Sequence, residues 1–297
     1  MTATRSGLAV STVVFCAAMW GLWWLPVELI EGTGVSGPRV GIAMNLAVLP
    51  VAILWLLLRP GAMSARALVG AVLVGAAVSL YAISVTYTDF LRAVLLFYLA
   101  PAWSTIIECV FFGRRWSVKS VFAIGLGFLG IALISRGEIS FDGLGAIGDW
   151  MALVSGATWS AGTALIFSSR RAGVAGVLVV TALGGIAVSL GISAAMGQAM
   201  LSLPQFGSAI AGAPLVYLFA AAYVGILLSG TVWGAFVLPP AVMSYLLSIE
   251  IVSGVLSSTL ILGERFGVFE MGGAACILGA VFIEVLWSER VSKTAEP

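Results

Sequence analysis

The chain has 297 residues, of which 61% are hydrophobic and only 9% charged, with a mean hydropathy of +1.14. Soluble domains carry about a quarter charged residues, so this composition excludes a water-solvated globule and points to lipid as the solvent. Fourteen basic against thirteen acidic residues leave a net charge of +1, which gives no reason to expect a nucleic-acid partner.

Crossing a bilayer takes about 20 apolar residues, and in hydrocarbon only a helix or a closed barrel satisfies the backbone. The apolar runs are of helical length, and they predict ten transmembrane helices in an all-α protein. In chain order these are 8–30, 38–58, 67–86, 90–112 and 118–135, then 147–167, 174–196, 215–236, 241–262 and 268–287. The first run is too long for a cleaved signal and is expected to stay as a helix. Cys16, Cys109 and Cys276 each lie inside an apolar run and read as small packing residues. They suggest neither a disulfide framework nor a metal site, and no cofactor is expected.

With the N-terminus in the cytoplasm, Arg5, Arg59, Arg66, Arg114, Arg115, Lys119, Arg170, Arg171, Arg290 and Lys293 fall on the inner side. Arg39, Arg92, Arg136 and Arg265 fall on the outer side. Ten against four is the bias of cytoplasmic loops, and it places both termini inside with an even helix count. The acidic loop 138–149 then faces outward.

The halves echo one another. AMWG at 18–21 resembles ATWS at 157–160, matching Trp20 to Trp159, and FFGRRWSV at 111–118 resembles ILGERFGV at 261–268. Each of the latter leads into a Gly-rich helix, expected to pack closely because small residues let helix backbones approach. Since five is odd, two five-helix units insert with opposite orientation. The expected organisation is therefore a repeat over 1–137, its inverted counterpart over 145–290 and a cytoplasmic tail over 291–297. Inverted halves can exchange packings and expose a midplane site to each side in turn. The alternative is a symmetric but static scaffold.

A charge in the membrane interior costs on the order of 3 kcal/mol, so Glu108 and Glu250, both well inside predicted helices, need a reason. Either could pair with a substrate ammonium or bind a proton; the alternative is a protonated carboxyl that bonds neighbouring helices. Glu250, Ser253 and Ser257 follow i, i+3, i+7 spacing, which places them on one stripe. Tyr98, Pro101, Thr105 and Glu108 form the corresponding stripe in the first half. Aromatic residues recur on the same central helices: Trp20, Trp24, Tyr81, Tyr98 and Trp103, then Trp159, Tyr223 and Tyr245. Such rings offer apolar area with a hydrogen-bonding edge and attract an ammonium over their faces, so these residues and Glu250 are the candidate substrate-binding set. Trp23, Trp116, Trp150 and Trp287, near predicted helix ends, are assigned to the aromatic belt at the lipid headgroups.

Absences narrow the function. There is no GxxxxGK[ST] loop for ATP, and no His for a zinc site or a Ser–His dyad. Asp89, Asp142 and Asp149 all lie close to loops, which disfavours a paired-Asp protease. The basic residues lie in loops or at helix ends, leaving no fixed midplane cation for a phosphorylated substrate. A transporter is expected, not an enzyme, and the duplication argues against an ion channel.

AMWG, the Trp159 helix ending in SSRR, LAPAW with GRRWSV, and IEIV with GERFGV occur in an order that resembles the drug/metabolite transporter superfamily, in its ten-helix, EamA-type branch. The resemblance covers nearly the whole chain. One departure is that the proline kink is present only in the first half, at Pro101. The aromatic-rich central helices look most similar to bacterial aromatic amino acid exporters of the YddG type. This implies an exporter in the bacterial cytoplasmic membrane, with the bilayer and a small amino acid, aromatic or large and apolar, as its partners. A monomer is expected. A broader exporter of amines, drugs or other small metabolites is the alternative.

Overall fold

A computed structural model describes residues 3–111, 116–134, 147–169, 173–198, 203–238, 246–247, 249–263 and 267–294. Every regular element among them is helical. In chain order the helices are α1 (Ala3–Trp20), α2 (Trp24–Glu31), α3 (Pro38–Leu58), α4 (Ala65–Ser84), α5 (Phe90–Phe97), α6 (Ala100–Phe111) and α7 (Val118–Ile134). They continue with α8 (Ile147–Phe167), α9 (Val174–Ala195), α10 (Leu203–Gly212) and α11 (Pro214–Val237). The last are α12 (Ile249–Ser257), extended by a π turn over Ser258–Leu262, and α13 (Val268–Thr294). Glycine at 263 closes that π turn with φ +70°, the left-handed conformation that a Cβ disfavours.

By length and composition six of these segments can cross a membrane: Pro38–Leu58, Ala65–Ser84, Phe90–Phe111, Ile147–Phe167, Val174–Ala195 and Pro214–Gly234. A seventh is the pair Gly7–Trp20 and Trp24–Glu31, bent by 45°. The chain is thus a multi-pass helical membrane protein. Leu57, Leu58, Phe111, Val118, Leu215, Leu260 and Val268 are all exposed, a surface that suits acyl chains and not water.

Four features depart from the sequence expectation. The first helix is not continuous, because Pro26 has no N–H for the Leu22 carbonyl and its ring crowds that turn. The chain instead makes three-residue turns, with hydrogen bonds from Leu22 N to Met19 O (2.9 Å), Trp23 N to Trp20 O (3.0 Å) and Leu25 N to Leu22 O (3.0 Å). The connection before α11 contains the short helix α10, and the last helix runs on to Thr294, into the segment expected as a tail. Near Pro101 the fourth expected helix is interrupted, α5 ending before a turn at Tyr98 and Leu99.

Helix α4 is the most enclosed of the six, packed on α8 and α9, while α3 packs on α9 and α11, α1 on α11 and α12, and α7 on α13. With no hydrophobic driving force between helices in lipid, close approach and polar side chains hold them together. Thr181 Oγ1 on α9 donates to the Ala71 carbonyl (3.2 Å), Ser155 Oγ on α8 to the Ala77 carbonyl (2.9 Å), and Asn45 Nδ2 on α3 to Ser79 Oγ (3.0 Å). A Cβ built at Gly75 would stand 2.1 Å from the Thr181 carbonyl oxygen and 2.7 Å from Gly185 N, both backbone atoms. Gly75→Ala is therefore expected to force α4 and α9 apart and to destabilise the protein by about 1–3 kcal/mol, read as a lowered melting midpoint of the purified protein.

Candidate functional site

The break between α1 and α2 sets Trp20, Trp23 and Trp24 along an irregular stretch of backbone. All three side chains are buried, and Trp23 is 0% exposed. This corrects the assignment of Trp23 to the headgroup belt: the break brings it to the centre of the bundle. Trp116 and Trp150 are exposed, as belt residues are.

Five rings close into a circuit around this point. Trp20 stacks on Trp23 (4.9 Å between centroids), Trp23 on Tyr81 (6.3 Å, 17° between planes), and Tyr81 on Phe97 (4.9 Å). Phe97 meets Trp159 edge to face (6.1 Å), and Trp159 returns to Trp20 (5.9 Å). Four elements, α1, α4, α5 and α8, and the break contribute. Tyr98 joins through Phe97 (5.9 Å), and Tyr223 on α11 through Trp23 (6.3 Å). Pairs of this geometry contribute about 0.5–1.5 kcal/mol each beyond burial, and their faces are electron-rich.

The polar ends of these rings divide into two groups. Trp20 Nε1 donates to Thr231 Oγ1 (3.2 Å), Trp24 Nε1 to Ser257 Oγ (3.1 Å), and the Tyr223 hydroxyl to the Met19 carbonyl. Ser257 Oγ in turn donates to the Gly21 carbonyl (2.9 Å). Two of these bonds end on side-chain hydroxyls and two on backbone carbonyls at the break, so these side chains are committed to structure. By contrast, Trp23 Nε1 and the Tyr81 hydroxyl are buried with no hydrogen-bond partner, a deficit that costs about 1–3 kcal/mol per group.

Glu250, on the first turn of α12, is 5% exposed and meets this cluster. The Tyr98 hydroxyl lies 2.9 Å from Glu250 Oε2 and 2.7 Å from the Leu247 carbonyl. With Glu250 ionised, one hydroxyl proton faces two acceptors and the carboxylate is short of donors. Glu250 also interacts electrostatically with Tyr81 and Tyr223. Among the described residues no Lys or Arg side chain bonds to it.

The structure therefore brings together Trp20, Trp24, Tyr81, Tyr98, Trp159, Tyr223, Glu250 and Ser257 from the expected set. Trp103 stands apart, edge-on to Phe128 (6.3 Å). Ser253 turns its hydroxyl onto its own helix, to the carbonyls of Ile249 (3.2 Å) and Glu250 (3.1 Å), where it packs against Gly21. Tyr245, the loop 138–146, Arg114, Arg115, Arg136, Arg170, Arg171 and Arg265 lie outside the described residues, as do the side chains of Arg5, Pro101, Glu108, Trp287, Arg290 and Lys293. Sequence reasoning missed Phe97, which closes the ring circuit, and Asp149. Asp149 is 1% exposed, accepting from Arg92 Nη2 at 2.9 Å and Thr88 Oγ1 at 2.7 Å.

No family model matches the chain, and no curated protein matches it. A solved crystal structure that carries no functional name is similar over 98% of this chain and 99% of its own, with a TM-score of 0.58 at 17% identity. That likeness concerns the fold alone. Fold and site together define a multi-pass helical membrane protein with a buried aromatic cluster against a membrane carboxylate.

Proposed function

We propose that the chain is a ten-helix transporter of the drug/metabolite transporter type, which exports amino acids, aromatic or large apolar ones by preference, by alternating access. The observation that carries this is the closed circuit of rings beside Glu250. An electron-rich aromatic wall and an under-satisfied carboxylate suit a molecule with an apolar body and an ammonium group.

A count of ten is reached by taking three shorter apolar helices, Val121–Gly130, Ile249–Leu262 and Met271–Ala280, as parts of further spans beside the six long helices and the bent pair. The packing also supports two exchangeable halves. Numbered as ten segments, the fifth packs on the tenth (α7 on α13) and the second on the seventh (α3 on α9). The third packs on the sixth and seventh (α4 on α8 and α9), as the eighth does on the first and second (α11 on α1, α2 and α3). The fourth packs on the sixth (α5 and α6 on α8), as the ninth does on the first (α12 on α1). Each of these pairings has its counterpart five segments on, as a two-fold relation between halves would give. The cluster lies where both halves contribute: Trp20, Trp23, Tyr81, Phe97 and Tyr98 from one, Trp159, Tyr223 and Glu250 from the other. On this reading both termini lie in the cytoplasm of a bacterial cell and a monomer is the working unit.

A second reading, export of cationic amines or dyes, is favoured by one fact: Glu250 is the only charged side chain that the described residues bring into the cluster. Counterflow in liposomes of the purified protein separates the two. Radiolabelled tryptophan is expected to exchange saturably against internal tryptophan or phenylalanine. Exchange of cationic dyes with none of any amino acid would replace the first reading by the second, and exchange of neither would remove both.

A further inference from the structure

We infer that Trp23 and Tyr81 bind the carboxylate of the transported molecule while Glu250 takes its ammonium, so that the site selects free α-amino acids over their amides and N-acyl derivatives. This assignment rests on the reading of the chain as an amino acid transporter, and deepens it.

The cluster holds unmatched hydrogen-bonding capacity. Around an ionised Glu250 acceptors exceed donors, since the single Tyr98 proton serves both Glu250 Oε2 (2.9 Å) and the Leu247 carbonyl (2.7 Å). Around Trp23 and Tyr81 donors exceed acceptors: Trp23 Nε1 and the Tyr81 hydroxyl are buried, at 0% and 3% exposure, with no partner. Their rings are neighbours, 6.3 Å apart and nearly parallel, and Tyr81 is within electrostatic range of Glu250. A ligand that completes the cluster therefore presents donors to Glu250 and acceptors to Trp23 and Tyr81. An α-amino acid does both, its ammonium having three donors and no acceptor and its carboxylate acceptors only. A simple amine fills the first deficit and leaves the second. The nearby rings of Trp20, Phe97 and Trp159 then face the apolar side chain.

Neutral donors are the means available here for holding a carboxylate, because no described Lys or Arg reaches the cluster. Trp20, Trp24 and Tyr223 cannot substitute, since their polar hydrogens already satisfy Thr231, Ser257 and the Met19 carbonyl. Trp23 and Tyr81 are thus specificity-determining residues.

The test measures competition in tryptophan counterflow by unlabelled tryptophan, tryptophan amide and N-acetyltryptophan, for the wild type, Trp23→Phe, Tyr81→Phe and the double variant. Phenylalanine keeps an aromatic ring at each position and removes the donor. In the wild type, free tryptophan is expected to compete about 10- to 100-fold better than the amide. In the double variant free tryptophan should weaken by about that factor while the amide is unchanged, so that the two become equal. Tyr81→Phe deletes a single oxygen and carries the test alone where Trp23→Phe does not fold. Variants that exchange tryptophan and keep the full preference for the free acid overturn this assignment and leave the transporter intact. A wild type that exchanges no amino acid overturns the transport reading, and the assignment with it.

Discussion

Glu250→Gln is expected to cut tryptophan counterflow by about 100-fold while leaving the melting midpoint of the purified protein unchanged. The two side chains have nearly the same volume, and the glutamine carbonyl oxygen can still accept from the Tyr98 hydroxyl now 2.9 Å from Glu250 Oε2. What the substitution removes is charge. A charge-assisted hydrogen bond is worth about 1.5–3 kcal/mol, and that is the binding energy a substrate ammonium would lose. Stability should not fall with it, because neutralising a buried carboxylate with few donors relieves desolvation. If Glu250 instead serves only to join helices, Gln does the same work, and wild-type counterflow in this variant would remove Glu250 from the site.

The sequence makes the helices legible because lipid permits so little else. Long apolar runs, Pro26 and Pro101 are visible without a structure, and the expected boundaries of the six long helices agree with the observed ones to within about three residues, inside the usual error of such boundaries. Tyr98, Glu250 and the deep tryptophans could also be picked out, since a charge or a polar-edged ring far from a helix end is costly unless it has a use. The pairings could not. Tyr98 and Glu250 are 152 residues apart, and no periodicity on one helix says which residue faces it from another.

Trp23 lies where its place in the sequence and its place in the fold diverge. In a continuous first helix it sits toward one end, where the headgroup belt claims most tryptophans. The 45° break moves that point inward, and the cause, Pro26 acting on the Leu22 carbonyl, was present in the sequence. Phe97 was missed for another reason. It has no polar edge to mark it as a binding ring, although it stands next to Tyr98 in LFYLAP.

Arg92→Ala is expected to destabilise the protein by about 3 kcal/mol, a larger loss than for Gly75→Ala at the lower end of its range. Asp149 begins α8 almost wholly buried, so its carboxylate depends on Arg92 Nη2 (2.9 Å), Thr88 Oγ1 (2.7 Å) and the N-terminal dipole of its own helix. Removing the guanidinium leaves a buried anion with the two weaker partners. Asp149→Asn should cost less, about 1 kcal/mol, because Arg92 is 28% exposed and can turn to solvent. The double variant Arg92→Met/Asp149→Asn should recover most of the loss, since it leaves no buried charge. Melting midpoints of the four purified proteins test this ordering, and an Arg92→Ala variant that melts with the wild type would show that the pair holds nothing. The consequence reaches the site through α5, which carries Arg92 on its first turn and ends at Phe97, one residue before Tyr98. Loosening the α5–α8 contact should therefore misplace the Tyr98 hydroxyl against Glu250, and Arg92→Ala should lose counterflow even at temperatures where it remains folded.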